Sequence, residues 1–174
     1  QLRGKEIMST KQKGMLDTFL RPDEYTKFKR HILWTKIVKK AYVTASGNYV
    51  FDLETAGYQS IFEWGDGTPI QIKLSISADG KIIDCLTVSH HESKGYGEAC
   101  ATEEYYDQFK GASNSDIVIT VPNPDPEPGA DLIPSTSTDK GVISSATCTT
   151  TAYQKAVKAA FAAFEKLTEN GGEG

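Results

Sequence analysis

Apolar and polar residues alternate most regularly in the middle of the chain, where Ile70, Ile72, Leu74 and Ile76 interleave with Gln71, Lys73, Ser75 and Ser77. A period of two is that of a strand with one face buried. Ala78-Asp79-Gly80-Lys81 has the composition of a tight turn, so Lys81 to His90 is predicted to return as a second strand. Upstream, Trp34 to Phe51 is rich in β-branched and aromatic residues and is interrupted by Ser46-Gly47-Asn48, which predicts a hairpin. Gly65-Asp66-Gly67-Thr68-Pro69 marks another turn between these pairs. Together the segments predict an antiparallel meander.

Helical spacing occurs toward both ends. Met8, Met15, Leu16 and Phe19 form a loose stripe over Lys5 to Leu20, and Pro22-Asp23-Glu24 supplies a helix start followed by Tyr25, Phe28 and Ile32. A short helix is expected from Thr102 to Phe109, and Asp116 to Val121 reads as a further strand. Pro122, Pro124, Pro126, Pro128 and Pro134, with acidic residues among them, predict a surface loop, because proline fixes φ and lacks an N–H. Tyr153, Val157, Ala160, Phe161, Phe164 and Leu167 recur at three- and four-residue steps, which predicts a helix over Thr151 to Leu167 with Gly171-Gly172 beyond it. The expected fold is a single α+β domain, an antiparallel sheet meander packed against a C-terminal amphipathic helix and N-terminal helices. The expected division is an N-terminal helical region over 1–36, the main domain over 37–168 and a disordered tail over 169–174.

A length of 174 residues suits one domain. Nineteen Lys and Arg against 23 Asp and Glu give a net charge of -4, and the basic run Lys36 to Lys40 is short and interleaved with apolar residues. Nucleic acid is therefore not an expected partner. Cys85, Cys100 and Cys148 are too few and too spread for a zinc site or a disulfide scaffold, although they leave room for one disulfide and one free thiol. No apolar run is long enough to span a bilayer and no signal peptide is visible. The chain opens at Gln1 rather than Met, which raises the expectation of a removed upstream segment, with which a membrane anchor is compatible.

The densest chemistry lies in Ser144-Ser145-Ala146-Thr147-Cys148-Thr149-Thr150, a crowd of hydroxyls at the mouth of the last helix. Unpaired N–H groups and a partial positive charge suit such a mouth to phosphate, yet Ser and Thr also gather there simply as caps. Both readings stand on this segment alone. Gly95-Tyr96-Gly97 is equally two-sided: its glycines let backbone approach a flat ligand that the tyrosine covers, and they also suit an ordinary turn. His90-His91 makes a poor metal pair, because neighbours on a strand face opposite ways. Cys148 reads as a small buried residue or a redox thiol. Neither a Ser-His-Asp order nor a nucleotide-binding glycine fingerprint occurs in the required context.

Taken in order, Gly57-Tyr58, Ala78-Asp79-Gly80-Lys81-Ile82, His91-Glu92-Ser93-Lys94-Gly95-Tyr96-Gly97, Gln108-Phe109-Lys110-Gly111 and Ser144-Ser145-Ala146-Thr147 resemble the FMN-binding domain family. That family includes peripheral flavin subunits of Rnf-type electron transport complexes and of the sodium-pumping NADH:quinone reductase. The resemblance runs from Val38 to Leu167 and implies that residues 37–168 are an FMN-binding domain. It implies FMN as cofactor, attached to Thr147 by a phosphoester that a dedicated flavin transferase installs. Ser144, Ser145, Ala146 and Thr149 would surround the phosphate, and the loop from Glu92 to Gly97 would lie against the isoalloxazine ring, with Glu92, Gly95, Tyr96 and Gly97 as the binding residues.

The implied role is that of an electron carrier rather than a self-sufficient oxidoreductase. Its partners would be subunits of a membrane redox complex or other electron carriers, met on the extracytoplasmic face of a bacterial cytoplasmic membrane through an anchor, or as a secreted protein. Two positions depart from the family pattern: Lys94 stands where proline is frequent, and Gly141 where aspartate usually precedes the acceptor by six residues. Two alternatives follow, an extracytoplasmic binding module of this fold without flavin and a flavin reductase that holds FMN noncovalently.

Overall fold

The computed structural model describes residues 25–27, 36–61, 63–121, 128, 133 and 137–169. Five strands, β1 (Tyr25–Lys27), β2 (Val38–Thr44), β3 (Tyr49–Thr55), β4 (Ile70–Ile76) and β5 (Ile82–Ser89), form one sheet in the order β1-β2-β3-β4-β5. Every neighbouring pair is antiparallel. The alternation read from the sequence sets the register: Phe51 pairs with Leu74 and Leu53 with Ile72, so the apolar sets of adjacent strands share one face. Short helices α1 (Tyr58–Ile61) and α2 (Glu103–Asp107) precede a long helix, α3 (Thr147–Glu169).

Helix α3 has 23 residues and crosses the apolar face of the sheet. At its beginning the Thr55 hydroxyl donates to Ala152 O at 3.0 Å, and near its end Phe164 meets Tyr49 edge-on at 5.2 Å. Ala152, Ala156, Ala160 and Ala163 are buried between Tyr153, Val157, Phe161 and Phe164, so small residues let the helix settle while large ones fill the layer. Tyr153 stacks on Phe109 at 5.5 Å, and its hydroxyl lies 2.7 Å from Thr87 Oγ, whose own proton goes to Cys100 O at 2.6 Å. A buried tyrosine hydroxyl finds a partner because an unpaired one is costly.

Three expectations need correction. Tyr25–Lys27 pairs with Tyr42–Thr44 as strand, so the helix expected from Pro22 onward does not run through these residues. Ladder hydrogen bonds to β2 override the local helical spacing there. The rest of that helix, the one expected over Lys5 to Leu20 and the tail beyond Glu169 lie outside the described residues. Asp116 to Val121 is not a strand: Asn114–Asp116 is a 3-10 turn, and the Thr120 N–H goes to Gln154 Oε1 at 2.8 Å instead of a neighbouring strand. Finally, α3 starts at Thr147 rather than Thr151, which takes three of the hydroxyl residues into the helix itself. All three cysteines are free.

Candidate functional site

The turn before α3 is closed from inside the helix. Thr150 Oγ accepts from Ile143 N at 2.8 Å and donates to Ile143 O at 3.1 Å, and Ala146 N donates to Ile143 O at 2.9 Å. The first helical bond runs from Thr150 N to Ala146 O, at 3.0 Å. The N–H groups of Thr147, Cys148 and Thr149, the first of the helix, have no carbonyl a turn behind them and remain available to a ligand. Gly141 lies just upstream with φ +89°, in the region glycine tolerates best, and a Cβ there would stand 3.0 Å from the Phe109 ring. An aspartate at this position meets both obstacles. Asp139 accepts instead from the Thr120 hydroxyl at 2.9 Å.

Glu92 sits beneath this turn. It is 5% exposed, and its Oε1 accepts from Thr149 Oγ at 2.6 Å and from Tyr58 N at 3.0 Å. Thr149, 1% exposed, therefore gives its hydroxyl proton to a carboxylate, and Thr150 is committed to Ile143. The loop after Glu92 turns at Gly95, φ +75°, whose N–H goes to the Glu98 carboxylate. Gly97 then opens a 3-10 helix directly against Thr149.

Between loop and helix lies a cavity of about 420 Å³. Tyr58, Ser93, Lys94, Tyr96 and Gly97 form one side, and the run Ser145, Ala146, Thr147, Cys148 and Thr149 forms the other. The volume falls in the range of small-molecule and cofactor sites, ~300–1,000 Å³. A phosphate-bearing flavin suits this lining: the helix mouth and the Ser145 and Thr147 hydroxyls can donate to phosphate, and Tyr58 and Tyr96 offer aromatic faces to a ring. Lys94 is exposed and brings a cationic side chain to the wall. Burial, and secondarily the charge of Glu92, push the Cys148 thiol above its ordinary value, so it is not an activated nucleophile.

Of the residues expected to bind, Ser145, Ala146, Thr147, Thr149, Tyr96 and Gly97 line the cavity. Ser144 and Gly95 stand outside the lining, and Glu92 lies behind it. Ser93 and Lys94 line the wall as part of the loop expected against the ring, and Tyr58 and Cys148 line it without having been expected there as ligands. Tyr58 has an edge contact with Trp64 at 4.9 Å, and its place next to Gly57 in the quoted motif was a usable signal. The two histidines part company, His90 Nδ1 accepting from Glu92 N at 3.0 Å while His91 contacts Asp66. Among the described residues no helix is long and apolar enough to cross a membrane.

Part of the chain is 33% identical over 76 residues to a protein of Clostridium ljungdahlii, a subunit of the proton-translocating ferredoxin:NAD(+) oxidoreductase complex. The match covers 41% of this chain and 37% of that relative. The family model for the FMN-binding domain matches residues 65–162, from the turn before β4 through the greater part of α3, and so takes in every lining residue of the cavity except Tyr58. This chain belongs to the FMN-binding domain family, and its cofactor is FMN.

Proposed function

We propose that this domain carries electrons on an FMN esterified to Thr147. The observation that carries the reading is the sorting of the three threonines in the first turn of α3. Thr149 is bonded to Glu92 and Thr150 to Ile143, whereas Thr147 lies on the cavity wall with neither commitment. That sorting supports Thr147 as the hydroxyl that takes the ester. Thr147 Oγ would bond to the flavin's phosphorus and give its proton to a base of a flavin transferase. With a flavin dinucleotide as donor, its phosphoanhydride would open in the same step and a nucleoside monophosphate would leave. No electrons change hands.

Ser145 and the free N–H groups of the first turn would hold the remaining phosphate oxygens, and Tyr58, Tyr96 and Gly97, on the facing wall, would hold the ring. Bound FMN supplies a centre that takes up or releases one or two electrons. The protein's own part is to orient that centre, limit water around it and leave an edge open to partners. Tyr96, 56% exposed, and Trp64, 64% exposed, stand on the described surface near this wall.

Electrons arrive from and leave to other proteins, in this reading subunits of a membrane redox complex. The domain works at the extracytoplasmic face of a bacterial cytoplasmic membrane through an anchoring segment. The reading of the partners is supported by the relative in Clostridium ljungdahlii, named as a subunit of a proton-translocating ferredoxin:NAD(+) oxidoreductase complex.

The test is coexpression with a flavin transferase followed by denaturing gel fluorescence. Flavin fluorescence should stay with the denatured chain and vanish in Thr147→Ala. Flavin released on denaturation would leave only the noncovalent reading.

A further inference from the structure

Three stretches of chain wall the cavity, and one buried carboxylate joins them. Glu92 Oε1 reaches both Tyr58 N, at 3.0 Å, and Thr149 Oγ, at 2.6 Å, while Glu92 itself begins the loop that carries Ser93 to Gly97. Two glycines clear the space around it. A Cβ on Gly57 would lie 2.6 Å from Glu92 Oε1, and one on Gly97 would lie 2.9 Å from Glu92 Cβ.

The second oxygen, Oε2, is buried with no hydrogen-bond partner, and among the described residues no cation pairs with the carboxylate. Burying an anion costs free energy that two donors only partly offset. Stability alone does not favour a glutamate here. A residue kept against that cost points to work done at the site.

We infer that Glu92 is a positioning residue for the flavin acceptor: by holding Thr149 it fixes the rotation of the first turn of α3, and so presents Thr147 to the cavity. The inference rests on the reading of Thr147 as the acceptor. Residues two apart on a helix point roughly 200° apart around its axis. A bond that turns Thr149 down toward Glu92 therefore turns Thr147 away from it, toward open space. The same oxygen holds the backbone of Tyr58 on the facing wall, so acceptor and ring enclosure are referenced to one atom. Transfer onto a hydroxyl is sensitive to such placement, since a displacement of ~1 Å costs on the order of 100-fold in rate.

The test compares Glu92→Ala, Glu92→Gln and Thr149→Val in the same chain. Flavin transfer is followed as a function of domain concentration, and amide exchange of residues 147–151 is followed in the flavin-free protein. Glu92→Ala should lower the maximal transfer rate by about tenfold or more with little change in the half-saturating domain concentration, and should speed exchange in the first turn of α3. Glu92→Gln retains an acceptor oxygen and should recover most of the rate and the protection.

A folded Glu92→Ala protein that loads at the wild-type rate overturns the inference, and so does Glu92→Gln failing as badly as Glu92→Ala. Should Glu92→Ala not fold, Thr149→Val decides: slowed loading supports the positioning, and an unchanged rate overturns it. A wild-type chain that takes no covalent flavin while Glu92→Ala still loosens the turn sinks the attachment at Thr147 and supports the hold on the helix.

Discussion

Gly97 and Thr149 approach so closely that a Cβ built on the glycine would stand 2.3 Å from Thr149 Oγ. No real Cβ tolerates that distance, so Gly97→Ala must push the loop away from α3 or break the bond from Thr149 to Glu92. Overpacking of this kind costs about 1–3 kcal/mol. We expect a lower melting temperature and weaker retention of FMN, read by thermal denaturation and by flavin fluorescence after gel filtration. Unchanged stability and retention would show that the two walls are not in contact in solution.

Gln154 is fully buried on α3 and ties the helix to the segment ahead of it. Its Oε1 accepts from Thr120 N at 2.8 Å, and its Nε2 donates to Thr120 Oγ at 2.7 Å and Lys140 O at 2.9 Å. Gln154→Leu leaves the Thr120 N–H and the Lys140 carbonyl without their partner, at about 1–3 kcal/mol for each group left unpaired. Chemical denaturation should show a loss of that order. The loop from Asp139 to Ile143 should become more open to protease, because the bond to Lys140 O is one of those that hold it to α3.

Cys148 offers a probe of the cavity wall. Burial and the charge of Glu92 raise its thiol above the ordinary value, so its thiolate fraction is small at neutral pH and grows as pH rises. Cys85 and Cys100 are pushed up to about 12 by burial and stay protonated throughout the native range. Iodoacetamide at pH 8 should therefore alkylate Cys148 alone, slowly, and faster at pH 9, with the other two following only on unfolding. FMN in the cavity should slow the reaction. Rapid alkylation at pH 7 would contradict the low reactivity of this thiol, and equal rates with and without FMN would place the flavin elsewhere.

The strands were legible because their physics is local. Ile70 to Ile76 alternates strictly, Ser46-Gly47-Asn48 turns the chain between β2 and β3, and each feature survives in the fold. Asp116 to Val121 has strand composition but pairs with no strand among the described residues. Its Thr120 amide is taken by a side chain 34 residues away, which propensity cannot see. The start of α3 was misplaced for a similar reason. Ser and Thr favour caps when their hydroxyls bond locally, but Thr149 finds Glu92, 57 positions distant, and so sits inside the helix. The motifs marked both walls of the cavity, and the fold adds that Gly57-Tyr58, distant in sequence from the loop after Glu92, stands on the same wall as that loop.

Attachment at Thr147 is tested most directly by peptide mapping of the domain after coexpression with a flavin transferase, denaturation and tryptic digestion. Cleavage after Lys140 and Lys155 releases Gly141 to Lys155, which holds Ser144, Ser145 and every threonine of the first turn. We expect the mass of one FMN less one water on this peptide, and fragment ions that assign it to Thr147. A flavin assigned to Ser145 or Thr149, or a peptide of unmodified mass from protein that was yellow before denaturation, would contradict the account.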